Sequence, residues 1–216
     1  MSVAAVRSPR KPRGQGAERR QEILDAALAL YAERGVLGVS TREIAAVVGI
    51  SQPALYAHFR SLDEIRAEVC AQAFGELRRR QAAQADEDGP TRGGFLRTCR
   101  TYIDFGLERP DAYRVAFMLE KPEAHPDAHD ARVLAAGLEA FSEFRRRIEG
   151  LAAAGLTRPG DLTLLTQSLW AGLHGLVSLL IARPDFPWAE RETLVARHLE
   201  LLADGLLREE GLTPRR

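Results

Sequence analysis

The chain has 216 residues, enough for one medium domain or two small ones, and its 45% apolar and 28% charged residues exclude large-scale disorder. The formal net charge is zero but uneven: residues 1–60 carry nine Lys/Arg against five Asp/Glu, and residues 61–216 carry 21 against 25. A polyanion is therefore expected to meet the first part only. The two cysteines, Cys70 and Cys99, make neither a disulfide framework nor a four-ligand zinc site.

No apolar stretch follows the basic start, so no secretory signal is read and a cytoplasmic location is expected. The longest apolar run, Leu169 to Ala182, has 14 residues and is broken by His174 and Ser178. A spanning helix needs about 18 or more, so no membrane partner is expected. Residues 1–16, with Arg7, Arg10, Lys11 and Arg13 among Pro and Gly, read as a disordered basic arm.

From Glu18 the pattern turns helical. Ile23, Ala27, Leu30 and Tyr31 recur on one face of a 3.6-residue period, and Gly35 stops the helix. Ser40-Thr41-Arg42-Glu43 is a capping box opening a second helix that runs to about Val48. Gly49 supplies the positive φ of a tight turn. Ser51 caps a third, short helix ending near Phe59, with Pro53 in its first turn. A second capping box, Ser61-Leu62-Asp63-Glu64, begins a long helix to about Gln84. Further helical patterns lie near 92–108, 110–119, 128–154, 160–182 and 188–209, punctuated by Pro and Gly. No segment alternates with period two. The expected fold is all-α, about nine helices, divided as arm 1–16, a three-helix domain 17–64 and a helical domain 65–216.

The segment 40–59 has the form of a helix-turn-helix. Ala45 permits close approach, Gly49 makes the turn, and Ile44, Val48, Ile50, Leu55 and Phe59 form the buried wedge. The remaining positions, Thr41, Arg42, Gln52, Pro53, Ala54, Tyr56, Ala57 and His58, are read as outward. They are hydroxyl, amide, cationic or small, which suits phosphates and base edges.

The wording "STREIAAVVGISQPALYAHFRSLDEI", with the preceding "ILDAALALYAERG", resembles the TetR family of bacterial transcriptional regulators from about Glu18 to Phe74. "ERPDAYRVAFM" and "LWAGLHGL" resemble a subgroup whose ligand domain carries a Trp…His-Gly signature. The resemblance implies a homodimeric, ligand-responsive repressor on a palindromic double-stranded operator, released by a small-molecule effector. Carried over by position, it implies that Thr41 and Arg42 hold phosphates and that Gln52 reads a base. Pro53 and Ala54 would make apolar contacts, Tyr56 and His58 would bond phosphates, and Ser51 belongs to the same set. Leu62 stands where the family commonly has a phosphate-binding Lys, which removes one charge-assisted contact.

Beyond the helix-turn-helix, helices 160–182 and 188–209 are leucine-rich over more than one stripe, as burial on two sides requires. Core on one side and a second copy on the other would satisfy that; the resemblance implies a four-helix dimer interface. It also implies that Tyr102, Phe105, Phe117, Met118, Phe141, Trp170 and His174 contribute to a ligand cavity. No cofactor or metal is expected: His125 and His129 are four apart but flank Pro126, and no HExxH, CxxC, GxSxG or Walker loop occurs. An all-α enzyme is the rival class, and His174, its best candidate, has no acid at i±3 or i±4. A ligand-independent DNA-binding protein is the third, and zero net charge argues against it.

Overall fold

The computed structural model describes residues 16–84, 89–118 and 128–208. The basic arm, apart from Gly16, and His125 fall outside them. Among the described residues there are nine α-helices, one π-helical segment and no named strand.

Backbone contacts divide the chain into two units, Met1–Phe74 with Asp111–Gly137, and Gly75–Pro110 with Leu138–Arg216. The first holds α1 (Gly16–Arg34), α2 (Thr41–Val48), α3 (Gln52–Tyr56) and the start of α4 (Leu62–Ala83). It also holds α6 (Pro110–Tyr113), the π segment (Arg114–Met118) and the start of α7 (Ala128–Ala153). The contact boundary thus falls inside α4, further along than the 64/65 division read from sequence.

The periodic face of α1 belongs to the core of the first unit: Ile23, Ala27, Leu30 and Tyr31 are buried, as are Ile44, Leu55, Phe59 and Ile65. Of the expected wedge, Ile44, Leu55 and Phe59 are fully enclosed, whereas Val48 and Ile50 are half-buried. Gly49 has φ of 74°, which lets its amide return to α2 and closes the turn. α3 ends at Tyr56, short of the expected Phe59, and a tight turn carries Phe59 back into the core.

The stretch expected as one helix over 110–119 is one α turn followed by the wider π segment, which packs on α1. There the Cys70 thiol donates to the Val115 carbonyl at 3.7 Å, and the Phe117 ring sits 5.0 Å from Phe74, edge to face. The second expected capping box forms only in part. Ser61 Oγ accepts the Glu64 amide, but the Glu64 carboxylate takes the Arg60 amide, one residue before the cap.

The second unit is built on α5 (Arg92–Glu108), α8 (Leu162–Ala182), α9 (Arg191–Leu206) and the rest of α7. α5 packs on both α8 and α9. Its core includes Phe95, Cys99, Ile103, Phe105, Ile148, Leu151, Leu173, Val177, Val195 and Ala203. α8 and α9 approach closely because Gly172 has no side chain: a Cβ there would lie 3.1 Å from Leu202 Cδ2. His198 donates to the Gly172 carbonyl through that gap at 3.2 Å. Arg92 pairs with Glu200 and Asp204, and Arg100 with Glu192, so exposed ion pairs join α5 to α9.

α8 is long and apolar enough, by length and composition, to cross a membrane. This corrects the exclusion drawn from the 14-residue run, which counted unbroken apolar residues and ignored that single Ser, Thr, Gln and His residues leave a helix apolar on average. In the fold one face of α8 is core: Leu169, Leu173, Leu176, Val177 and Ile181 are buried.

Candidate nucleic-acid interface

The candidate interface starts with two helix caps. The Ser40 hydroxyl accepts the Glu43 amide, and the Glu43 carboxylate accepts from the Ser40 amide and hydroxyl at 2.9 and 2.7 Å. Those bonds, with Arg34 at 3.2 Å, hold the Glu43 carboxyl below its usual range. Ser51 caps α3 by accepting the Ala54 amide at 3.3 Å. Both helices are thereby fixed at the ends that face away from the turn between them or into it, and their side chains project from defined positions.

On α3, Leu55 is buried, whereas Pro53, Ala54, Tyr56 and Ala57 are exposed and Gln52 and His58 are half-exposed. Arg42 on α2 is exposed as well. The outward reading fails at Thr41, which is only 8% exposed. The reason is the helical period: Thr41 precedes Ile44 and Ala45 by three and four positions, so it shares their buried face. Its hydroxyl accepts from Gln52 Nε2 at 2.9 Å and lies 3.4 Å from the Tyr56 hydroxyl. Gln52 and Tyr56, one turn apart on α3, therefore meet over a single buried oxygen.

Sequence reading missed Arg20. Its guanidinium donates to the His58 carbonyl at 2.6 Å and lies 3.9 Å over the Phe59 ring. It also pairs with Glu68 at 3.4 Å, and Arg132 pairs with the same carboxylate at 2.6 Å. Arg20 thus anchors the end of α3 to α1 and α4. The signal was weak, because one Arg on a helix carrying several charges marks no partner. Leu62, in the place of the commoner Lys, opens α4 half-buried.

The residues expected at the ligand cavity are drawn from both units. In the second unit the Tyr102 hydroxyl is 3.4 Å from His174 Nδ1, and His174 Nε2 is 3.2 Å from Ser178 Oγ. The Trp170 ring lies 5.7 Å from His174 and 5.9 Å from Phe141. Burial pushes the His174 imidazole below its usual value. Phe105 is fully buried in the same unit, with the Arg80 guanidinium 5.6 Å from its ring. Phe117 and Met118 lie in the π segment of the first unit. Among the described residues no group of His, Cys, Asp and Glu is arranged to hold a metal ion.

A capped helix-turn-helix set on a small α core, followed by a larger all-helical unit, is the architecture of a bacterial helix-turn-helix regulator. Two family models match the chain: "Bacterial regulatory proteins, tetR family" over residues 23–69, and "Tetracyclin repressor-like, C-terminal domain" over residues 95–202. The chain belongs to the TetR family.

Among curated relatives, the HTH-type transcriptional regulator YobS of Bacillus subtilis (strain 168) is 30% identical over 96 residues, 44% of this chain and 50% of YobS. The HTH-type transcriptional regulator AcrR of Shigella flexneri is 38% identical over 60 residues, 28% of each chain. The matched stretches thus span half or less of those relatives. A tetR-family regulatory protein from Rhodococcus RHA1 superposes with a TM-score of 0.73 at 21% identity, covering 89% of this chain and 99% of its own. The regulator FadR from Bacillus subtilis, solved with stearoyl-CoA, superposes with 0.74 at 16% identity, covering 86% and 98%. At such identities these neighbours establish the fold.

Proposed function

We propose that the chain is a sequence-specific DNA-binding repressor, working in the cytoplasm as a homodimer and leaving a palindromic operator when a small molecule binds the second unit. The observation that carries the reading is the division of α3: Leu55 is sealed in the core while Pro53, Ala54 and Tyr56 are exposed and Gln52 is half-exposed. A short helix fixed in this way presents an amide, two small apolar groups and a phenol to a major groove. Gln52 reads a base, Arg42, Tyr56 and His58 hold phosphates, and Ser51 orders the helix start. Thr41, being buried, serves from beneath. Arg60, exposed beside α4, supplies the cation that Leu62 does not.

The Tyr102, His174, Trp170 and Phe141 cluster receives the effector, with Phe105 backing it. The neutral imidazole favoured there suits an uncharged polar group on an otherwise apolar ligand. Cutting operator occupancy tenfold requires the effector to prefer the non-binding state by about 1.4 kcal/mol.

The second copy covers an apolar stripe on α8 and α9. Leu164 and Leu179 on α8 and Leu201 on α9 are each more than half exposed, and Ala171 and Ala182 lie with the α8 leucines on one side of that helix. The core-facing side of α8 packs inside the unit, so this stripe is what a partner chain would bury.

Electrophoretic mobility shift of the full chain against the region upstream of its own gene tests the proposal. A retarded band at moderate salt is expected, and Gln52→Ala should change the preferred sequence while Tyr56→Phe weakens all sequences about equally. Absence of any retarded species with every palindrome tried would overturn the reading.

A further inference from the structure

We infer that Thr41 is a specificity-determining positioning residue: its buried hydroxyl fixes the Gln52 amide for base reading and joins it to Tyr56. This rests on the DNA-binding reading above. Thr41 is only 8% exposed, so its side chain is held within the fold rather than presented outward. What its hydroxyl does is set by its inventory of one hydrogen and two lone pairs.

One lone pair accepts from Gln52 Nε2 at 2.9 Å. The hydroxyl lies 3.4 Å from the Tyr56 oxygen, where either oxygen can donate, and the inferred arrangement has the Thr41 hydroxyl donating. In that arrangement the Tyr56 hydrogen is available to be donated outward, to an acceptor such as a phosphate oxygen, from a residue that is 47% exposed. The result is a directional chain running from Gln52 through Thr41 to Tyr56 and onward to the DNA backbone. Each bond in such a chain polarises the next.

The Gln52 amide keeps what it needs. Nε2 carries two hydrogens and spends one on Thr41, leaving one N–H and the carbonyl oxygen. Those two groups together match the N7 acceptor and N6 donor of adenine. An amide held in one plane presents that pair in one order, whereas a freely rotating amide offers donor or acceptor to several bases. Thr41 therefore supplies discrimination. It also removes part of the ordering cost that an untethered Gln would incur on binding.

The test selects binding sites from a pool of random-sequence duplexes with the full chain and with Thr41→Val, Thr41→Ser, Tyr56→Phe and Gln52→Ala. The position at which Gln52→Ala loses its preference identifies the base that Gln52 reads. Thr41→Val, which keeps the shape and deletes the hydroxyl, should lower the preference for adenine there by about tenfold, a loss in the range of one bidentate pair. Its affinity for duplex lacking the site should fall no further than that of Tyr56→Phe, because Tyr56 alone links the Thr41 hydroxyl to the DNA backbone. Thr41→Ser should retain the original preference, and Tyr56→Phe should retain it while binding all sequences more weakly.

An independent readout uses no DNA. The Gln52 side-chain amide protons should exchange with solvent more slowly in the unsubstituted chain and Thr41→Ser than in Thr41→Val. If Thr41→Val does not fold, Thr41→Ala carries both comparisons. An unchanged preference at that position in a folded hydroxyl-deleted variant overturns the inference. Failure of the unsubstituted chain to select any sequence overturns the DNA-binding reading instead, and this inference with it.

Discussion

Tyr31 shows what a single buried atom costs. Its ring fills the core of the first unit, and its hydroxyl is buried with no hydrogen-bond partner among the described residues. Burial accordingly pushes the phenol far above its usual value. Tyr31→Phe removes the orphan donor and keeps the ring, so stability should rise by about 1 kcal/mol; a urea titration followed by circular dichroism measures it, and a fall in midpoint would contradict the account. His174 and His198 make a pH argument at the same scale. Burial lowers both imidazoles, although the Gly172 carbonyl opposes this at His198. Above the unfolded value of about 6.5, both folded and unfolded chains are neutral and the full stability is present. As pH falls through that value the unfolded chain takes up protons first, so stability drops until the folded imidazoles also titrate. The urea midpoint should therefore fall between about pH 7.5 and 5.5, and the His174→Gln, His198→Gln double variant should fall less.

At the scale of the element, two helix glycines give opposite expectations. Gly172 sits where a Cβ would press on Leu202 at 3.1 Å, so Gly172→Leu should separate α8 from α9 and destabilise by about 1–3 kcal/mol. Gly150 in α7 has nothing within 4 Å of such a Cβ, so Gly150→Ala should stabilise by up to about 1 kcal/mol. Thermal melts of the two variants should move in opposite directions. Helix caps and periodicity were legible before the structure, because Ser40, Gly49, Ser51 and the face of α1 act over a few residues. Thr41 was misplaced although its spacing from Ile44 and Ala45 carried the answer: a polar side chain was read as outward on chemistry alone. The π segment and the Arg20 anchor were not legible. Both depend on residues distant in the chain, Cys70 and Phe74 in one case and His58 and Glu68 in the other.

For the whole molecule, the proposed function makes pairing of two copies the property on which operator binding turns. One helix-turn-helix reads about half a site, so a lone protomer should lose most of its operator affinity. Leu164→Glu combined with Leu201→Glu places charge on exposed positions of α8 and α9 and leaves the core of the unit untouched. Sedimentation equilibrium should show the double variant as a monomer, with an unchanged circular dichroism spectrum and no retarded complex in mobility shift. A variant that still sediments as a dimer would move the interface elsewhere.

Neither Cys70 nor Cys99 is in a disulfide, both are enclosed, and burial raises the Cys99 thiol far beyond the range in which a thiolate forms near neutrality. The chain thus arrives chemically silent toward maleimides and iodoacetamides. A single Arg42→Cys substitution, outside the core, would be the sole quickly labelled site. In the proposed dimer, a spin label there would make a two-point ruler for the span between the two α3 helices.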